Sequence, residues 1–144
     1  MRFMMLMIPE GYAAAAPDAV QTLDPERVKA MMKFNEDLQK AGVLLALDGL
    51  HPPATGARVS FKGGKASVKD GPFAEAKEVL GGYWMIQVKS RDEAIAWASR
   101  CPGADNEIIE VRQVQEFADY TPEVQQAAAG FDEMLAQSAH RPKQ

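Results

Sequence analysis

Two short stretches constrain this chain more than any others. Phe3–Ile8 and Tyr83–Val88 are strongly apolar, and Phe3–Ile8 shows no alternation of the kind that exposes one side to water. Such runs suit strands at the centre of a sheet, covered on both faces. Between and after them the local signals are regular. Asp24-Pro25-Glu26 opens a helix, with Asp as cap and Pro in the first turn. Val28, Met31, Asn35 and Leu38 recur at helical spacing, and Gly42 stops the helix. Val43–Leu47 is a second strand, and the turn His51-Pro52-Pro53 ends its pairing. Gly63-Gly64 joins Arg58–Lys62 to Lys65–Lys69 as a hairpin. Its register places Val59 and Phe61 opposite Val68 and Ala66, with Arg58, Ser60, Lys62, Lys65, Ser67 and Lys69 on the other side.

Further on, Ser90 and Glu93 predict a capping box for a helix whose stripe is Ala94, Ile95, Ala98 and Cys101. Glu107–Val114 is a last strand. Thr121-Pro122-Glu123 opens one final helix with Val124, Ala127, Ala128, Phe131, Met134 and Leu135 along one side. Without the hairpin and the last helix the order is βαββαβ, the ferredoxin-like split-βαβ arrangement. That topology centres the first and third core strands, which are the two apolar stretches. The fold class expected is therefore α+β, an antiparallel ferredoxin-like sheet with an inserted hairpin and a C-terminal helix. Two helices cover one side of such a sheet. A second copy of the chain is the simplest cover for the other, which predicts a homodimer. The expected parts are a domain over residues 1–115, a helical extension over 116–138 that packs on the domain or the partner subunit, and a flexible tail over 139–144.

Composition removes several function classes. A chain of 144 residues has room for one core, and its net charge of −4 argues against nucleic acid. Cys101 is the one cysteine, and His51 and His140 are the two histidines, so neither an internal disulfide, a Cys-based zinc site nor a His-rich metal centre is expected. The methionines at positions 1, 4, 5 and 7 read as packing, and Cys101 as core rather than nucleophile. The N-terminus loosely imitates a signal peptide, but its apolar run is short and Pro9-Glu10 interrupts it. No stretch is long enough to span a bilayer, so no membrane partner is expected and the cytoplasm is the expected location. Phosphate-loop, zinc and nucleotide-fold patterns are absent, so no cofactor is expected.

The candidate site begins at Asp70-Gly71-Pro72-Phe73. Gly71 allows a turn that most residues resist, Pro72 fixes φ, and the residue before a proline avoids the helical region. Asp70 thus stands on a stiff turn at a strand end, placed to reach a ligand or to bond its own turn amides. An imidazole is the side-chain type suited to proton transfer near neutrality, so Asp70 could act as a general base or orient His51. Glu110 and Arg112 share a largely apolar strand face, as an ion pair or the wall of a ligand cleft. Tyr83 and Trp84 are expected to line the pocket, with Arg112 holding a carboxylate. Tyr12, in an irregular loop, either covers a pocket or lies on the surface. The basic side of the hairpin reads as edge protection or as the seat of an anionic partner.

Asp70-Gly71-Pro72-Phe73-Ala74-Glu75-Ala76-Lys77-Glu78, followed by Gly81-Gly82-Tyr83-Trp84, resembles the signature of the YCII-related family, in its DGPF branch. The likeness covers about residues 1–115, including the opening strand, the Gly49–Pro53 turn, the hairpin and Glu110-Val111-Arg112. It implies a ferredoxin-like subunit paired in a dimeric α/β barrel, with a cleft between the open sheet face and the partner. A His and an Asp in that cleft underlie the reading of the wider family as enzymes. The branch also occurs beside, or joined to, alternative sigma factors of RNA polymerase, which implies a sigma-factor-associated protein partner. Carried onto this chain, the acid falls on Asp70 and its partner on His51, although the short YciI-like members place their His elsewhere. Three readings result: a dimeric small-molecule-binding domain with a polar cleft near Asp70, a cofactor-free acid–base enzyme using Asp70 and His51, and an accessory module in sigma-factor-linked transcriptional control. In a fourth, Asp70 merely stabilises its turn.

Overall fold

The computed structural model describes residues 1–138; His140 and the rest of the tail expected at 139–144 lie outside the described residues. In chain order the elements are β1 (Arg2–Ile8), α1 (Pro25–Lys40), β2 (Leu44–Gly49), β3 (Ala57–Lys62), β4 (Lys65–Asp70), β5 (Gly82–Gln87), α2 (Arg91–Ser99), β6 (Ile108–Gln113), α3 (Pro122–Ala127) and α4 (Phe131–Ser138). Two compact units result, Met1–Val114 and a segment that begins at Gln115.

The first unit is built on an antiparallel sheet of order β2-β5-β1-β6, compatible with a ferredoxin-like fold, and β3 and β4 form a separate two-stranded sheet. The two apolar stretches, β1 and β5, occupy its centre. Helix starts follow the expected chemistry. Asp24 Oδ1 accepts from the Glu26 amide at 3.0 Å, and Ser90 Oγ accepts from the Glu93 amide at 3.1 Å. Each bond satisfies a donor that the first helical turn leaves open.

One side of the sheet holds the core. Phe3, Met5 and Met7 of β1 and Trp84 and Ile86 of β5 are buried there with Val88, against Phe34 and Leu38 of α1 and Ala94 of α2. Phe34 and Trp84 meet edge to face, with ring centroids 5.6 Å apart, the arrangement that the ring quadrupoles favour. Because side chains alternate along a strand, the residues between these point the other way. The register groups Met4 with Met85 and Arg112, Leu6 with Tyr83 and Glu110, and Ile8 with Ile108. Within one chain this second side is half-buried to exposed.

The hairpin takes the register that its spacing predicts, with Val59 opposite Val68 and Phe61 opposite Ala66. Gly63 and Gly64 turn it with φ of +58° and +74°, values that favour glycine and match the twist of paired strands. The single final helix expected from the apolar stripe is instead two, α3 and α4. Ahead of the break, Ala128 leaves helical geometry, and Gly130 takes a φ of +91°. The apolar period runs on through the interruption, which is why periodicity alone missed it.

Candidate functional site

The turn after β4 packs directly on the turn after β2. Asp70 closes the hairpin opposite Ala57, and the Gly71 amide donates to the Gly56 carbonyl at 2.9 Å. A Cβ on Gly71 would lie 1.7 Å from the Pro53 carbonyl oxygen. Close approach therefore demands glycine here. The expected need for an unusual backbone angle is corrected, because Gly71 does not have a positive φ. A cis peptide bond joins Gly71 to Pro72. Phe73 is buried, and the Arg58 guanidinium carbon sits 4.1 Å from its ring centroid, so the hairpin base is held by a cation–π contact.

These contacts bring the turns of His51 and Asp70 together without joining their side chains. Both residues are exposed, and neither makes a hydrogen bond or ion pair among the described residues. Asp70 thus does not bond its own turn amides. His51 walls a cavity of about 350 Å³ with Pro9, Tyr12, Leu23 and Glu107, and a second of about 530 Å³ with Pro53, Arg58, Phe73 and Leu80. Asp70 lines neither.

Tyr83 and Trp84 alternate along β5 and so belong to opposite sides of the sheet, although both wall one cavity. Trp84 is on the core side, where its indole Nε1 donates to Asn35 Oδ1 at 2.8 Å. It also walls a cavity of about 310 Å³ with Leu23, Val28, Met31, Leu47 and Arg27. This cavity and the smaller of the two that His51 borders share Leu23, Gly49, Gly81 and Glu107 as walls. They form adjoining halves of one rim cleft where β2 ends and β5 begins. Glu107, only 11% exposed, pairs there with Arg27 and accepts from the Ala104 amide at 2.7 Å. Tyr12 covers the His51 half, donating its hydroxyl to the Leu50 carbonyl, and burial pushes its phenol above the usual pKa.

Tyr83 belongs to the open side of the sheet. Its hydroxyl donates to Asp48 Oδ2 at 2.7 Å. That hydrogen bond, aided by partial burial and by the charge of Asp48, holds the phenol above its usual pKa. Arg112 Nη1 lies 3.3 Å from Glu110 Oε2 on the same side, and Leu6 stands between Tyr83 and Glu110 in register. Of the expected site residues, Tyr83 and Trp84 both line the rim cleft, whose other half His51 walls; the Tyr83 hydroxyl, Glu110 and Arg112 belong to the open face, and Asp70 stays on the packed turns.

Sequence reading missed Asp48, Asn35, Arg27 and Glu107. Asp48 directly precedes the Gly49–Pro53 turn, and its place opposite Tyr83 follows only once β2 is paired with β5. Arg27 and Glu107 stand 80 residues apart, with no local pattern to join them. Cys101 has its thiol pushed up to about 11 by burial, with Glu107 adding to the rise and Arg27 opposing it. That keeps the sulfur a thiol near neutrality, since the thiolate is the nucleophilic form. Among the described residues no group of three His, Cys, Asp or Glu side chains could hold a metal ion, and no helix is long and apolar enough to cross a membrane.

A family model for the YCII-related domain matches residues 1–118, which takes in the whole sheet, the hairpin and both packed turns. The chain belongs to the YCII-related family. It is also 41% identical over 59 residues to an uncharacterized protein of Rhizobium meliloti (strain 1021). That alignment covers 41% of this chain and 48% of the relative, so the chain spans about half the length of the curated relative it matches. The rim cleft, the open face and the His51 and Asp70 turns all lie within the YCII-related domain.

Proposed function

We propose that this YCII-related chain is a small-molecule-binding domain that works as a homodimer, and that its ligand occupies the rim cleft between His51 and Trp84. The observation that carries the reading is the pair of adjoining cavities of about 310 and 350 Å³. Their walls are mainly apolar (Met7, Leu23, Val28, Met31, Leu47 and Trp84), with a few polar groups converging on them. Concave sites of this size and lining are where small organic ligands bury most of their surface. Arg27 gives Glu107 one N–H through Nη2, and a guanidinium carries five donors. A ligand carbonyl or carboxylate can accept from the rest. The class supported is a compact, mostly apolar molecule with one acceptor head.

The homodimer follows from the open face. Met4, Leu6, Ile8 and Met85 make an apolar floor on the side of the sheet opposite α1 and α2, while the Tyr83–Asp48 and Glu110–Arg112 pairs give it polar points. A second copy laid across it would complete a dimeric α/β barrel. The cleft is tested by a thermal-shift screen of small aromatic carboxylates on the wild type and on Leu23→Asp. Leu23 is 61% exposed, so the fold tolerates the change. Compounds that raise the wild-type Tm and lose that effect in Leu23→Asp support the reading. Compounds that act equally on both, or a screen without any active compound, contradict it.

One observation favours an acid–base reading beside this. The contact of Gly71 with Pro53 sets the His51 and Asp70 turns against each other at the mouth of a cavity that His51 lines. If a ligand of the cleft is turned over, His51→Ala and Asp70→Asn should each slow the reaction. Unchanged turnover in both would end that reading and leave binding intact.

A further inference from the structure

The hairpin β3–β4 keeps a regular strand register, yet every one of its residues is exposed. Phe61 is 79%, Val68 69% and Val59 53% exposed, and the register sets all three on one side. The strands pair with each other and not with the main sheet. Their base alone is fastened, by Gly71 to Gly56 and by Arg58 over Phe73. A lone two-stranded hairpin is marginal in water, and a bare apolar strip on one calls for a cover. Lysines guard an edge against stray pairing. They do not account for an uncovered Phe61.

Charge indicates what the cover is. Residues 57–70 hold Arg58, Lys62, Lys65 and Lys69 against Asp70, a net +3, so the rest of a chain of net −4 carries −7. Another hairpin would bring like charge, and a nucleic acid would approach a body of its own sign. The body of a second copy is complementary in sign.

We propose that the hairpin is an arm that lays Val59, Phe61 and Val68 on the body of the partner chain, with its cations against that chain's acidic surface. This rests on the homodimer reading above and adds to it a contact separate from the open face. Because the charged part of the contact is exposed, salt weakens it. In a symmetric pair each chain gives one arm and receives one.

The test uses the full chain. A photo-crosslinking amino acid placed at Phe61 should, on irradiation, give a covalent dimer whose joined peptide lies outside residues 57–70 of the partner. A join between two hairpins, or no join, overturns the proposal. In sedimentation equilibrium, Phe61→Ser with Val68→Ser should raise the dimer dissociation constant about tenfold or more, with tryptophan fluorescence unchanged. Lys62→Glu with Lys65→Glu should weaken the dimer at low salt and much less at high salt. If the arm variants dimerise as the wild type does, the arm is not part of the interface and the homodimer reading stands. If the wild type is itself a monomer at high concentration, the homodimer reading fails and takes the arm with it.

Discussion

On the side of the sheet that α1 and α2 cover, Phe3, Met5, Trp84 and Ile86 are almost wholly removed from water, while one residue along each strand Met4, Leu6, Tyr83 and Met85 remain half-buried. Tyr83 and Trp84 make the comparison in adjacent positions. Both are amphipathic rings with one polar group satisfied by a side chain, Asp48 for the hydroxyl and Asn35 for the indole nitrogen. Trp84 also packs edge to face on Phe34 under α1, whereas Tyr83 shares its side with a charged pair. The helix-covered side holds the fold together. The open side sets polar pairs among apolar residues that stay partly in contact with water.

The largest expected effect is the one that breaks this contrast most directly. Trp84→Ala removes a ring that is 6% exposed and should cost about 3–5 kcal/mol in urea unfolding. Tyr83→Phe, on the open side, should cost about 1 kcal/mol at most. Equal losses would refute the contrast. Asn35→Ala strips the indole N–H of its partner and should cost about 1–3 kcal/mol, because a buried donor left without an acceptor carries its desolvation penalty. Here the loss should shrink in the double variant with Trp84→Phe, and a simple sum of the two losses would contradict the coupling.

Smaller effects sharpen the comparison by titration. The rise of Tyr83 comes first from its hydrogen bond to Asp48, so Asp48→Asn should return its ionisation toward the ordinary tyrosine range in an alkaline ultraviolet titration. In the wild type the stabilisation linked to this raised pKa is fully present below pH 10 and fades as pH climbs through the higher folded value. A titration unmoved by Asp48→Asn would remove Asp48 as the cause. On the covered side, Cys101 at about 11 rather than 9.0 should react with iodoacetamide near pH 8 about a hundredfold more slowly than an ordinary thiol. Alkylation at the ordinary rate would place the thiol in water.

Much of this was legible in residue patterns. The two apolar stretches fell at the centre of the sheet, the hairpin register followed from Gly63-Gly64, and Asp24 and Ser90 capped the helices they precede. The site was less legible because it depends on contacts far apart in sequence. Gly71 needs to be glycine on account of Pro53, Arg27 of α1 meets Glu107 just ahead of β6, and Asn35 reaches Trp84 from α1. No spacing rule encodes such meetings. Asp70, the residue the motif singles out most strongly, lines neither cavity that His51 borders. Its neighbour Gly71 explains part of the motif by packing instead.

The rim cleft is tested most directly at the two indole N–H resonances, since Trp84 lines it and Trp97 does not. Small aromatic carboxylates titrated into the nitrogen-15-labelled chain should shift the Trp84 resonance in a saturable way and leave that of Trp97 in place. Saturable shifts at Trp97 with Trp84 unmoved, or no saturable shift at either, would contradict a ligand site between His51 and Trp84.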